Sequence, residues 1–259
     1  MHMNTVTPNK KNKSVRCDIH NEDCITGLKK IANGSIDLIF TDPPYGICGH
    51  NLDQHYNRDE STVVPGYMDI DQAHYADFSN SWITECSRVL KPQGSMYIVS
   101  GYTNLHHILN ALHSTDMREI NHIVAEYAFG VYTKNKWVSS HYHMLYWGKT
   151  KKTYFNGTAR YKDSKKSYND RIIVQKLQRE YQPGQVKNKN QLPSNFIQKF
   201  IEYSSKPGDF VLDPFAGSFS TGTSAIKLQR NFIGFEQNTH AYRVFGNKLK
   251  DYYDTQQKE

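Results

Sequence analysis

The sequence of 259 residues contains no apolar run near the roughly 20 residues that a membrane-spanning helix needs. Its opening stretch, MHMNTVTPNKKNKSVR, is polar and basic without an apolar centre, so a secretory signal is not expected there. The four cysteines, Cys17, Cys24, Cys48 and Cys86, form no CxxC pair, which argues against a zinc knuckle or a disulfide framework. Hydrophobic residues make up 37% and charged residues 22% of the chain, values that exclude a disordered protein and a membrane-embedded one alike. What these absences leave is a globular protein of reduced, cytoplasmic type. The chain is long enough for one full core with an insertion or two.

Positive charge is present in excess and is unevenly placed. The net charge is +7, yet residues 134–190 alone hold 14 Lys and Arg against 3 Asp and Glu, a local balance of +11. The remainder holds 18 basic against 22 acidic residues, or −4. A solvated charged face usually alternates its signs, whereas this segment interleaves its cations with tyrosines. That mixture suits a polyanion whose bases can stack. The plain alternative is a basic loop with no specific ligand.

Periodicity divides the rest into alternating elements. SIDLIF (35–40) reads as a buried strand, with EDCITGLKKI before it as a short helix. DFSNSWITECSRVL (77–90) gathers Phe78, Trp82, Ile83, Val89 and Leu90 on roughly one helical face. KPQG is expected to stop that helix before the strand SMYIVSG. NLHHILNALH is a second amphipathic helix, and NHIVAEYAFGVY and SHYHMLYWGK alternate like antiparallel neighbours at a sheet edge. The basic segment lacks periodicity and is expected to be irregular. After it, Ser194 is placed to cap a helix carrying Phe196, Ile197, Phe200 and Ile201. Then come the strand FVLD, the helix STGTSAIKLQ, the strand NFIGFE and a closing helix. This alternation predicts a doubly wound, mostly parallel α/β sheet. A polar tail (1–16) would precede one catalytic-type domain (17–259), with 134–190 inserted.

Two strand ends carry chemistry. IDLIFTDPPYG runs from a buried strand into a carboxylate, two prolines and a tyrosine. VLDPFAGSFSTG runs from a strand through a carboxylate and small residues into a helix, and the next strand ends at Glu236. A carboxylate at that point suits a ribose diol, because it accepts from both hydroxyls. No GKS or GKT follows the loop, and anionic Asp213 would repel phosphate. A cationic nucleoside without phosphate fits better, and S-adenosylmethionine is the common one. For TDPPY the plain alternative is a rigid turn with Tyr45 packed.

Taken together, DPPY followed later by DPFxGS resembles the amino-group DNA methyltransferases of the β arrangement, over roughly half the chain. The resemblance implies a seven-stranded Rossmann-like sheet and transfer of a methyl group from S-adenosylmethionine to the N6 amine of a flipped-out adenine. N4 of cytosine, or a catalytically silent DNA-binding relative, are the alternatives. The catalytic residues implied are Asp42, Pro43, Pro44 and Tyr45. The carboxylate of Asp42 and the carbonyl of Pro43 would accept from the amine, and Tyr45 would stack on the base. C5-cytosine chemistry is disfavoured separately, since no cysteine here follows a proline.

The cofactor-binding residues implied are Asp23, Cys24, Asp213, Phe215, Gly217, Ser218, Phe219 and Glu236. Asp23 would lie near the adenine amine and Cys24 beside the ring, although Asp23 also suits a helix cap. Phe219 stands where the family usually has a second glycine. A phenylalanine there is expected to use a β- or α-region backbone, its ring either walling the cofactor or impairing the pocket. The segment NQLPSNF lacks the frequent His-Pro-Thr. Target recognition falls to the basic segment, with Lys134, Lys136, His141, Lys149, Lys151, Lys152, Arg160, Lys165, Lys166 and Arg171 as candidate contacts to nucleic acid. No metal is expected, since His141 and His143 have no third ligand nearby in sequence. A homodimer, a companion restriction endonuclease, no membrane, and a cytoplasmic, nucleoid-associated location in a prokaryote complete the expectation.

Overall fold

The computed structural model describes residues 15–47, 69–128, 134–178 and 191–258; Cys48 and most of the tail lie outside this set. Among the described residues one sheet holds eight strands. Its order is β1 (Cys17–His20), β8 (Asn231–Phe235), β7 (Phe210–Asp213), β2 (Ile36–Thr41), β3 (Leu90–Ser100), β5 (His141–Gly148), β4 (Arg118–Glu126) and β6 (Val174–Lys176). β5 is antiparallel to both neighbours, β3 and β4, and the remaining pairs are parallel. Eight strands replace the expected seven because β6 adds three residues alongside Val124–Glu126 of β4. A run that short gives no hydrophobic period to read.

Helices cover both faces, so the buried strands are apolar on both sides. On one face α1 (Cys24–Leu28), α2 (Tyr75–Val89) and α3 (Leu105–His113) bury Leu28, Trp82, Ile83, Cys86, Ile108 and Leu112 against Ile39, Ile98 and Leu212. On the other, α5 (Ser194–Ser204), α6 (Ser220–Lys227) and the C-terminal helices α7 (Thr239–Ala241) and α8 (Asn247–Lys258) pack Phe200, Ile201, Ala225 and Leu249 on Phe40, Tyr97 and Val211. From β7 the chain returns through α6 to β8 on one side, and from β2 through α2 to β3 on the other. The switch point of the sheet therefore lies between β7 and β2, where ligands of open α/β sheets bind.

Two local expectations are corrected. KPQG does not precede its strand but lies inside β3. Leu90 pairs with Ile36 and Ser95 with Leu38, so the intervening residues bulge outward. A bulge tolerates Pro92, which has no N–H to give a ladder. Ser194 is the first residue of α5 rather than its cap; Pro193 holds the cap position without a side-chain bond.

The described residues of the basic segment, 134–178, include regular elements where an irregular loop was expected. The segment contains α4 (Ser164–Asp170), capped by Asp163 Oδ1 on the Lys166 amide at 2.7 Å, and then β6. Asp170 accepts from Lys199 Nζ at 2.8 Å, Arg160 Nε at 3.1 Å and Tyr203 Oη at 2.7 Å. This strap ties the segment to α5. Scattered polar residues that find their partners only in space leave no periodic trace in sequence.

Candidate active site

Both loaded loops leave neighbouring strands at the switch point. Leu38 and Ile39 of β2 pair with Val211 and Leu212 of β7, and Thr41 Oγ1 donates to Asp213 Oδ1 at 2.8 Å. The same oxygen accepts from the Phe215 amide at 3.1 Å, and the Thr221 hydroxyl bonds the carboxylate as well. Burial pushes the Asp213 carboxyl up to about 6, and these hydrogen bonds counter only part of that. Asp213 is 4% exposed. It acts as an internal strut joining the two loops.

The loop after β7 closes on the next strand end. Gly217, at φ 51°, donates its amide to Glu236 Oε2 at 2.9 Å, and Asn238 N donates to Oε1 at 2.6 Å. Burial raises the Glu236 carboxyl above its ordinary range. A carboxylate offers about four acceptor sites, so two amides leave capacity for a diol. Asn21 Nδ2 donates to the Glu236 carbonyl at 2.7 Å, which brings the end of β1 to the same rim. There Asp23 Oδ1 accepts from the Thr26 amide at 2.9 Å and caps α1. Cys24 is buried in the core, its thiol pushed well up by burial and then by the Asp23 charge. Phe215 packs edge-on against Trp82 at 5.3 Å, and Ser218 is half-buried on the loop.

Phe219 overturns the backbone expectation. It sits at φ 58°, ψ 28°, the left-handed region that a glycine would occupy without strain. Its amide donates to Ala216 O at 2.6 Å and its carbonyl accepts from Thr223 N at 2.9 Å, so this residue turns the loop into α6. The ring does not wall a ligand: it is fully buried in the core, 6.2 Å from the Tyr242 ring. Burying a phenyl ring contributes about 2–3 kcal/mol, enough to offset a left-handed cost of about 1–2 kcal/mol.

The DPPYG loop is braced by residues that sequence reasoning missed. Tyr75 Oη donates to Pro44 O at 2.7 Å, and Asn104 Nδ2 donates to Tyr45 O at 2.7 Å and Gly46 O at 3.1 Å. Asp69 accepts from the amides of Gly46 and Ile47, each at 2.8 Å. Gly46 has φ 64°, and a Cβ there would stand 2.3 Å from the Tyr75 ring. That explains the glycine after DPPY. Tyr75 and Asn104 stand at the starts of α2 and α3, which a doubly wound fold brings to the carboxyl ends of the strands. Topology was the only signal that could have flagged them.

Tyr45 lies beside Gly101 at the end of β3 and 6.2 Å from the ring of Tyr142, which in turn lies 4.7 Å from Tyr127. Ser100 pairs with His143, so the start of β5 belongs to this rim. His141 and His143 share a face, their ring centroids 5.0 Å apart, and His143 Nδ1 meets His122 Nε2 at 2.9 Å. Burial, with His122 and His141 alongside, lowers His143 to about 4. Among the described residues no group of three or more His, Cys, Asp or Glu is arranged to hold a metal ion.

The candidate nucleic-acid residues separate into groups. Lys134 and Lys136 precede β5, whose rim-side start carries His141. Lys149, Lys151 and Lys152 follow β5, about 23 Å along the strand at the opposite end of the sheet. Lys149 there pairs with Asp116 at 2.5 Å. Arg160 is held by Asp170 and Glu202, and the Arg171 guanidinium lies over Phe155 at 5.9 Å. Lys165 and Lys166 are exposed on α4. An antiparallel strand carries a basic run away from the site as surely as toward it.

A Rossmann-like sheet whose switch point joins a DPPY loop to a carboxylate-rimmed nucleoside loop defines an S-adenosylmethionine-dependent amino-group methyltransferase. The chain belongs to the N6/N4 DNA methylase family, whose pattern matches residues 36–247. It is 32% identical over 242 residues to the Type II methyltransferase M.HinfI of Haemophilus influenzae, covering 88% of this chain and 67% of that protein. It is 35% identical over 245 residues to the DNA adenine methyltransferase YhdJ of Escherichia coli K12, covering 86% and 79%. Among solved structures, the cytosine-N4-specific PvuII DNA methyltransferase superposes with a TM-score of 0.70 at 17% identity, over 94% of this chain and 93% of that one. The M1.HpyAVI complex with S-adenosylmethionine does so at 0.65 and 21%, over 90% and 98%. At such identities these two speak for the fold.

Proposed function

We propose that this protein methylates the N6 amine of an adenine flipped out of duplex DNA, using S-adenosylmethionine. The observation that carries it is the Thr41–Asp213 hydrogen bond, which fastens the DPPY loop to the nucleoside loop at the switch point. The residues present suit this cofactor. Asp23 and Glu236 are acceptors on adjacent strand ends for an amine and a diol, and the 213–219 loop carries no cation for a phosphate. Asp213, Phe215, Gly217 and Ser218 would shape the rest of the pocket, and Cys24 would back it. S-adenosylmethionine supplies an electrophilic methyl group on a sulfonium.

The amine of adenine is a weak nucleophile, because its lone pair is delocalised into the ring. Asp42 Oδ and the Pro43 carbonyl would accept its two N–H groups and draw the nitrogen toward tetrahedral geometry. The fixed φ of Pro44 holds the Pro43 carbonyl in direction. Tyr45 would stack on the base, and the Tyr75, Asn104 and Asp69 brace keeps all four residues aligned. Lys134, Lys136 and His141 at the rim would meet phosphates, with Lys165, Lys166 and Arg171 farther along. The same reading takes a cytoplasmic, nucleoid-associated setting, a homodimer and a companion endonuclease. No described helix is long and apolar enough to cross a membrane.

The experiment is transfer of labelled methyl to mixed-sequence duplex DNA, with digestion to nucleosides and Asp42→Ala in parallel. Label in N6-methyl-2′-deoxyadenosine that drops at least about 10²-fold in the variant, with cofactor binding retained, supports the reading. Label in N4-methyl-2′-deoxycytidine would overturn the base assignment and keep the mechanism.

A further inference from the structure

The three tryptophans occupy two environments. Trp82 and Trp147 are 0% and 1% exposed, whereas Trp137 is 98% exposed and its neighbour Val138 is 40% exposed. An indole is the largest apolar side chain, and tryptophan is enriched where a surface meets a partner. We propose that Trp137 is a stacking wedge: its indole lies against a nucleobase of the bound DNA, beside the position from which the target adenine is withdrawn. The proposal rests on the DNA reading above and adds a contact that neither of the two motif loops supplies.

Position is the first argument. Residues 134–140 lead directly into β5, and the Tyr127 amide closes this stretch with a bond to Ser140 O at 2.7 Å. The Tyr127 and Tyr142 rings, 4.7 Å apart, form a short aromatic path from that closure to Tyr45, 6.2 Å beyond Tyr142. The indole is thus carried by the rim to which the DPPY loop belongs, not by the far end of the sheet.

Charge is the second. The stretch KNKWVSS places Lys134 and Lys136 before the indole and contains no acidic residue. Cations flanking an exposed aromatic select a partner that is anionic outside and aromatic within, which describes nucleic acid better than a protein surface. Geometry of the substrate is the third. Extruding a base leaves two unstacked faces and an unpaired partner base, and an inserted apolar side chain can cover them.

The distribution of tryptophans makes the test direct, because Trp137 is the one solvent-open indole of the three. Acrylamide quenching of the full chain is measured with and without a mixed-sequence duplex of about 30 base pairs, while anisotropy of a labelled strand reports binding independently. The expected result is a quenchable component in the free protein that disappears on binding, and its absence throughout in Trp137→Phe. Trp137→Ala should weaken duplex binding about 5- to 100-fold, whereas Trp137→Phe, which still stacks, should stay within about threefold of the parent. Binding with Trp137 still fully quenchable would overturn the wedge and leave the DNA reading standing. Absence of any binding by anisotropy would remove both. Protection that grows with protein concentration before any DNA is added would assign the indole to a second copy of the chain instead.

Discussion

Replacing Asp213 by Asn should stabilise this protein while weakening its cofactor site. The Asp213 carboxylate is 4% exposed and is bonded by two hydroxyls and an amide, not by a cation, and burial raises its carboxyl from 3.8 to about 6. A raised acid pKa means that the native state holds a proton the unfolded chain has released, so stability falls as pH rises from about 4 to about 6 and stays lower above that. Two pKa units correspond to about 3 kcal/mol. Asparagine keeps an oxygen for Thr41 and Phe215 and offers an N–H to the Thr221 hydroxyl, so it fits without the charge. The variant should gain about 3 kcal/mol at pH 8 and about half of that at pH 5. For a chain of this size the gain at pH 8 amounts to about 6–10 °C in Tm. Urea unfolding of both proteins at the two pH values measures it. A variant no more stable at pH 8, or a gain equal at the two pH values, would refute the reasoning. Calorimetry should then show S-adenosylmethionine bound about tenfold more weakly, and S-adenosylhomocysteine, which lacks the sulfonium charge, affected less.

Other substitutions test other parts of the structure. Asn104→Ala removes two bonds to the Tyr45 and Gly46 carbonyls and should lower kcat about tenfold, with KM for the cofactor unchanged in steady-state assays. Phe219→Ala should cost about 3–5 kcal/mol in urea unfolding. Phe219→Gly should cost no more, because relief of the left-handed backbone offsets the last methyl group. Joint replacement of Lys149, Lys151 and Lys152 by Gln should leave duplex affinity within about twofold. The same change at Lys134 and Lys136 should reduce the slope of log affinity against log salt by about 2. Replacing His143 by Gln should flatten the loss of stability between pH 6.5 and about 4, since a histidine held below its ordinary value opposes folding as acid charges the unfolded chain.

Much of this molecule is legible in its residue order. Alternating apolar runs and amphipathic helices dictate a doubly wound sheet, because each buried strand must be covered on both faces. Asp42, Pro43, Pro44 and Tyr45 are adjacent in sequence, and so are the members of the 213–219 loop; chemistry confined to one short loop is visible before any folding. Ordinary periodicity failed where an element was too short, as at β6, or where a bulge admitted Pro92 into a strand.

Only the tertiary structure decided the rest. Thr41 and Asp213 are 172 residues apart and meet because β2 and β7 happen to flank the switch point. Asp69 and Tyr75, from the lead-in and start of α2, and Asn104, from the start of α3, converge on the DPPYG loop. Phe219 takes a glycine-like backbone because the core gains its ring, a trade that no local propensity contains. The basic segment reads as one feature in sequence, yet an antiparallel strand separates Lys134 and Lys136, which precede its start, from Lys149, which follows its far end. Local order and composition write the elements and the reactive loops, because those depend on neighbours along the chain. Which side chains share a site depends on neighbours across the sheet, and strand order alone decides that.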